Sequence, residues 1–309
     1  MRRRSFLLLC AALASIVALS LIIASLNYHK QLSDYQQYAQ TLAQSGGAAA
    51  ALPPQLSPLQ QLRGSIEYIE IIGPVLAIVA GYGIVAKEKY RGTLRLFFSR
   101  PIGALDLAAG KLAALALLWL IIILVLLLVM ATTLHFVGGA LFSASTIAKL
   151  VLSLAAAWAY LMFWSALALG LTCSSKHLGS ALLISFIAWL AVVLLLPQIG
   201  DTMDPDNQVP GGLFQSMHVD KSHEHAIMAH FGGYESARNA LEETSISKHF
   251  ERASFAFLGV KQIYNQQPVG YIWGDTWKDT ALLLTGLLAS AAFALTWCNK
   301  RNLIGRSWK

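Results

Sequence analysis

Six windows of roughly 18 to 23 apolar residues punctuate the chain, at 5–26, 68–86, 112–135, 150–172, 178–197 and 280–297. As helices, each can cross a hydrocarbon core of about 30 Å. The pattern predicts an all-α integral membrane protein with six transmembrane helices. Polar stretches divide the windows into an outer segment at 27–67, an elbow at 87–111, a long loop at 198–278 and a tail at 298–309. The first helix is expected to run on beyond its apolar window, because Leu32, Tyr35, Ala39 and Leu42 keep three- and four-residue spacing among polar neighbours. Gly46-Gly47, Pro53-Pro54 and Pro58 then end it. The 198–278 loop, between spans five and six, is predicted to be largely helical and to hold a helical pair, since Ile246, Phe250, Ala253 and Phe257 repeat at helical spacing. Tyr271, Trp273 and Trp277 stand where an interfacial aromatic belt would precede the last span.

Lys87 to Lys111, KEKYRGTLRLFFSRPIGALDLAAGK, is the one long charged segment held between two strongly apolar runs. Thr93 is a good N-cap after the break at Arg91-Gly92, and Leu94, Phe97 and Phe98 fall on one helical face with Arg95 and Ser99 elsewhere. A residue before proline is pushed out of the α region, so Arg100-Pro101 should stop this short helix, with the next beginning near Ala104. Such a helix would lie in the interface, with Phe97 and Phe98 as its apolar anchors.

Charge orients the map. With the N-terminus inside, 14 of the 23 Lys and Arg residues face the cytoplasm, and 14 of the 16 acids face outward. This satisfies the positive-inside rule. The net charge of +7 therefore reflects topology and does not argue for nucleic-acid binding. Arg2 to Arg4 ahead of an apolar run that continues to Leu26 reads as an uncleaved anchor. The composition, 56% hydrophobic and 13% charged, excludes an ordinary soluble domain.

The order Lys-Glu-Lys-Tyr-Arg-Gly-Thr-Leu, then Leu-Phe-Phe-Ser-Arg-Pro-Ile, then Gly110-Lys111 opening a membrane helix, resembles the signature of ABC-2 type transporter permeases. The resemblance covers about 25 residues as a composite motif. It implies a dimer of six-span halves, as a homodimer or with a second permease, in a bacterial inner membrane over two copies of a separate ABC ATPase. ATP and Mg would be held by that partner, with no cofactor on this chain. It also implies that Glu88, Arg91, Gly92, Thr93, Leu94, Ser99, Arg100 and Pro101 form the docking elbow, and that transport runs outward as export. Members of the family commonly place an amphipathic helix ahead of the first span, where this chain has four residues before its apolar run.

Chemistry of other kinds is sparse. No Gly-x-x-x-x-Gly-Lys-Ser/Thr is present: Gly103 and Gly110 are seven apart, and Leu112 stands where a magnesium-binding hydroxyl would be. The chain is therefore expected to be no enzyme in its own right. Glu67 and Glu70, at the outer end of the second span, are a candidate substrate or proton path. His218, His223, His225, His230 and His249, with Met217 and Met228, could in principle ligate copper or zinc, but the spacing sets no three ligands on one face. The expected metal content is none. Cys10, Cys173 and Cys298 read as small apolar residues in helices, Trp158, Tyr160 and Trp164 as packing, and Gly73-Pro74 as a kink, with Gly81 and Gly83 as close-contact points. Two rival functions remain open: a membrane-anchored sensor acting through its outer loop, and an ion-coupled secondary transporter using Glu67 and Glu70.

Overall fold

A computed structural model describes residues 3–44, 57–91, 103–140, 142–203 and 243–298, together with 236, 240 and 303. The described residues are helical, with no strand among them. In chain order the long elements are α1 (Arg3–Gln44), α2 (Arg63–Arg91), α3 (Ala104–Phe136), α4 (Ala144–Ser174), α5 (Leu178–Trp189), α6 (Leu196–Met203), α7 (Ile246–Leu258) and α8 (Val269–Trp297). Pro58–Leu62 is a 3-10 turn leading into α2, and Leu190–Leu195 is a π-helical turn joining α5 to α6.

Six helical stretches are long and apolar enough to cross a membrane: Leu8–Tyr38, Pro58–Tyr90, Leu105–Phe136, Ala144–Ser174, Leu178–Ile199 and Val269–Trp297. Each contains, or almost wholly contains, one of the apolar windows, and the chain is a six-span, multi-pass membrane protein. The first helix does run on, unbroken, to Gln44.

α4 is the central helix. It packs against α2 along one side and α8 along another, with α3 and α5 completing its surroundings. Its sequence explains why: Ala156, Ala157, Ala159, Ala166, Ala168 and Gly170 keep its surface low, so neighbouring backbones can come close. Tyr160 and Trp164 are fully buried and Trp158 donates its Nε1–H to the Ala116 carbonyl at 3.1 Å, so the aromatic stripe is packing. α3, by contrast, leaves Leu117, Leu120, Ile121, Leu124, Val125 and Leu128 exposed, as a helix meeting lipid or a second subunit should.

α7 is the amphipathic helix of the 198–278 loop, and its repeat works as the spacing predicts: Phe250, Ala253 and Phe257 are buried. It lies across α4, α8 and the N-terminal part of α2, near Glu70. Phe250 stacks on Tyr160 with ring centroids 4.6 Å apart and planes 4° from parallel. Gly259 ends α7 with φ of +66°, a conformation that favours glycine, and its carbonyl accepts from the Gln60 amide at 2.7 Å. The remainder of the predicted helical pair, between residues 204 and 235, lies outside the described residues.

One reading is corrected here. Cys173 and Cys298 are not inert small residues but a disulfide, joining the last turn of α4 to the C-cap of α8 across 125 residues of chain. Helical periodicity carries no information about such distant pairing. Cys10 is free.

Candidate functional site: the elbow root and the three-helix seam

The end of α2 and the start of α3 form the root of the elbow. Ile84 and Glu88 are one turn apart on α2, so both present to the same neighbour. Lys111, on the second turn of α3, answers both: its Nζ donates to Glu88 Oε2 at 2.7 Å and to the Ile84 carbonyl at 3.0 Å. The lysine side chain is only 9% exposed, the glutamate 29%. Gly103 precedes α3 in an extended conformation, and its N–H donates to the Asp106 carboxylate at 3.1 Å. That carboxylate also suits the positive end of the α3 dipole.

Lys89 points elsewhere, about 100° around the helix from Glu88. The residue is buried at 5% exposure, and its ammonium donates to the carbonyls of Thr172 and Ser175, each at 2.9 Å. These belong to the C-terminal end of α4, where carbonyls lack intrahelical partners and the helix dipole is negative. Lys87 and Tyr90 face outward.

Farther into the membrane, α2, α3 and α4 meet at one hydroxyl. Trp119 of α3 donates Nε1–H to Ser165 Oγ at 2.7 Å, and Ser165 of α4 donates to the Ala77 carbonyl of α2 at 3.1 Å. All three residues are fully buried. One turn along, Gly81 lets the two backbones touch: a Cβ there would stand 2.1 Å from the Ser165 carbonyl oxygen. Gly73 faces the Leu161 side chain, whose Cδ2 lies 2.6 Å from its Cβ position, and Gly83 has nothing within 4 Å of its Cβ position, so the close-contact reading of Gly83 is corrected. Pro74 sits inside a continuous α2. It lacks the N–H that would bond the carbonyl four residues back, and Tyr160 OH donates to that carbonyl, of Glu70, at 3.1 Å.

In the N-terminal turns of α2 the two predicted acids separate. Glu67 is exposed and pairs with Arg63 at 2.8 Å. Glu70 is 8% exposed and faces α7, with the Ser247 hydroxyl in hydrogen-bonding reach and Lys248 and Glu251 supplying nearby charge. Lys248 and Glu251 pair with each other at 3.0 Å. His249 clamps the same helix to α8: Nδ1 meets Asp279 Oδ1 at 2.7 Å, and Nε2 meets the Glu243 carbonyl at 2.9 Å. With Asp279 ionised both partners accept only, so both ring nitrogens donate and the ring is an imidazolium. The Asp279 hydrogen bond holds its pKa above the ordinary histidine value, against a smaller opposing effect of burial. A ring engaged on both nitrogens has no lone pair for a metal.

Among the described residues no group of three His, Cys, Asp or Glu is placed to hold a metal ion. His218, His223, His225 and His230, with Met217 and Met228, lie outside the described residues. So do Gly92, Thr93, Leu94, Phe97, Phe98, Ser99, Arg100 and Pro101; Arg91 closes α2. Lys89 and Lys111 stand in the 87–111 motif without a role of their own there, and Trp119 and Ser165 carry no motif. A lysine inside the first turns of an apolar span, as Lys111 is, was the one available signal.

A family model described as ABC-2 family transporter protein matches residues 1–303. No curated protein matches the chain.

Proposed function

Because the chain belongs to the ABC-2 transporter family, we propose that it is the permease subunit of an exporter driven by a separate ATPase that docks on the 87–111 elbow. As a family member it is a membrane transport subunit. The observation that carries the finer reading is the elbow root: Glu88 and Lys111 join the two helices that enter and leave the elbow.

In this reading the elbow lies in the cytoplasm, where the excess of Lys and Arg belongs, and two ATPase subunits beneath a permease dimer bind ATP and Mg. Their closure would push the elbow as a unit, since a part-buried ion pair resists separation of its two roots. Motion of α2 and α3 would pass through Ser165 into α4. Five residues before Ser165, near its middle, α4 bears Tyr160, on which Phe250 of α7 is stacked, so the outer helix would shift with it. The elbow is a lever and α7 the element it moves, a two-state arrangement of the shear type. The Cys173–Cys298 disulfide lies on the elbow face, where cytosolic thiols favour reduction; its sulfurs belong to fully buried residues, which limits their access.

The burial of Glu70 supports a second reading, an ion-coupled transporter that protonates this carboxylate. Reconstitution separates the two. The permease reading expects vanadate-sensitive ATP hydrolysis by the complex that responds to members of a substrate panel. Flux that follows an imposed proton gradient without ATP would replace it with the second.

A further inference from the structure

Force applied at the elbow reaches the inner end of α2 first. The α2–α4 seam is tight at Gly81, where the Ser165 backbone leaves no room for a Cβ, and it is hydrogen-bonded at Ala77 and Glu70. All these contacts lie toward the middle and outer half of α2. Between Gly81 and Arg91 the helix runs about 15 Å farther, an arm that reaches past this contact toward the elbow. Pushed at its tip, such an arm can either carry α4 with it or splay away about the Gly81–Ser165 contact.

Lys89 is placed on that arm, two residues from its end, and grips α4 through the Thr172 and Ser175 carbonyls. We propose that Lys89 is the positioning residue that makes α2 and α4 move together, by holding the C-terminal end of α4 against the tip of the α2 arm. This rests on the reading that an ATPase drives the elbow. Three features suit the role. The grip spans the end of the helix, one carbonyl in the last turn and one at the C-cap, so it resists both sliding and separation. The ammonium is buried, so water does not compete for its donors. And the charge matches the negative end of the α4 dipole, which no neutral side chain would do.

The pairing also divides labour between neighbours on one turn. Glu88 ties α2 to α3 through Lys111, and Lys89 ties α2 to α4. The elbow's displacement is thereby delivered to three helices at once, with the Trp119–Ser165–Ala77 node joining the same three at depth.

The test uses the full-length complex with its ATPase, with Cys10→Ser to remove the free thiol and spin labels at Lys87→Cys and Lys176→Cys. Both positions are exposed, one on the arm and one in the turn after α4. With Lys89 intact, vanadate trapping should change the mobility of the Lys87 label and leave the 87–176 distance unchanged. In Lys89→Met the trapped state should shift to longer distances, and Lys89→Arg should restore the unchanged value, since guanidinium keeps charge and paired donors. Lys89→Gln, which fills the space and keeps an uncharged donor, serves the same purpose if the methionine variant does not accumulate. An unchanged distance in both Lys89→Met and Lys89→Gln, or in Lys89→Gln alone where only it accumulates, would overturn the proposal. Failure of the underlying transport reading looks different: the Lys87 label would then be indifferent to nucleotide in the Cys10→Ser background itself.

Discussion

Replacing Gly81 by alanine tests the seam through which force is proposed to pass. The added Cβ would stand 2.1 Å from the Ser165 carbonyl oxygen, 2.9 Å from its carbon and 3.0 Å from its Cα. These are backbone atoms, which cannot swing aside as a side-chain tip can. A carbon normally stays about 3.3 Å or more from a carbonyl oxygen, so α2 and α4 must part by roughly 1 Å. The Ser165 Oγ to Ala77 bond, 3.1 Å in the native seam, would then stretch beyond hydrogen-bonding length. Overpacking of this kind costs about 1–3 kcal/mol and the lost bond about 1 kcal/mol. Against that, alanine is the better helix former by about 1 kcal/mol. The expected net loss is about 1–3 kcal/mol.

Gly83 supplies the control, because its Cβ position meets nothing within 4 Å. Gly83→Ala gains the propensity and loses no contact, so it should be neutral or stabilising by up to about 1 kcal/mol. Thermal melts of the purified protein in one detergent, read by tryptophan fluorescence, compare the two; Trp119 and Trp164 lie beside the seam and are fully buried. A Gly81→Ala protein that melts with or above the native chain, or a Gly83→Ala protein that falls as far, would refute the seam as described.

Lys111→Met should cost about 1–2 kcal/mol by removing both the ion pair to the part-buried Glu88 carboxylate and the donor to the Ile84 carbonyl; exchanging the two residues, Glu88→Lys with Lys111→Glu, should recover only part, since a glutamate cannot donate to the Ile84 carbonyl, and denaturant melts of the three proteins rank them. The His249 clasp should weaken with rising pH. Its folded pKa lies above the ordinary 6.5, so its stabilisation is complete below that value and is lost as pH climbs through the folded pKa. Asp279 and the Glu243 carbonyl favour the charged ring, while Arg252 opposes it. Hydrogen exchange of α7 should therefore quicken with pH beyond the intrinsic rate, and His249→Gln should flatten that dependence; a native profile already flat would contradict the imidazolium. Differential thiol labelling of denatured chain should find one reactive cysteine, Cys10, before reduction and three after it, whereas three before reduction would show the α4–α8 disulfide to be open in the membrane.

Much of this architecture was legible from periodicity and length. Apolar windows and three-to-four spacing located the spans and the buried face of α7, because burial along a helix leaves a repeat that a one-dimensional reading detects. The seam was half legible: Gly81 signalled a close approach, but nothing in the sequence distinguished it from Gly83, two residues away and facing open space. Ser165 and Trp119 carry no local mark, since a hydroxyl in a span is as often bonded to its own helix, as Thr172 is to Ala168. The two outer acids looked equivalent one turn apart, yet α7 covers Glu70 and leaves Glu67 to solvent and Arg63. Cys173 and Cys298 find each other only once α4 and α8 are packed. The docking role proposed for Gly92 to Pro101 rests on family resemblance alone.

The most direct measurement of the central claim is side-specific cross-linking at Ser99. With Ser99→Cys carrying a photo-reactive thiol reagent in a Cys10→Ser background, the account predicts labelling only from the cytoplasmic face. It also predicts a cross-link to a nucleotide-binding ATPase that is lost when Glu88→Ala and Arg91→Ala are added. Labelling from the outer face, or a cross-link indifferent to those two substitutions, would contradict it.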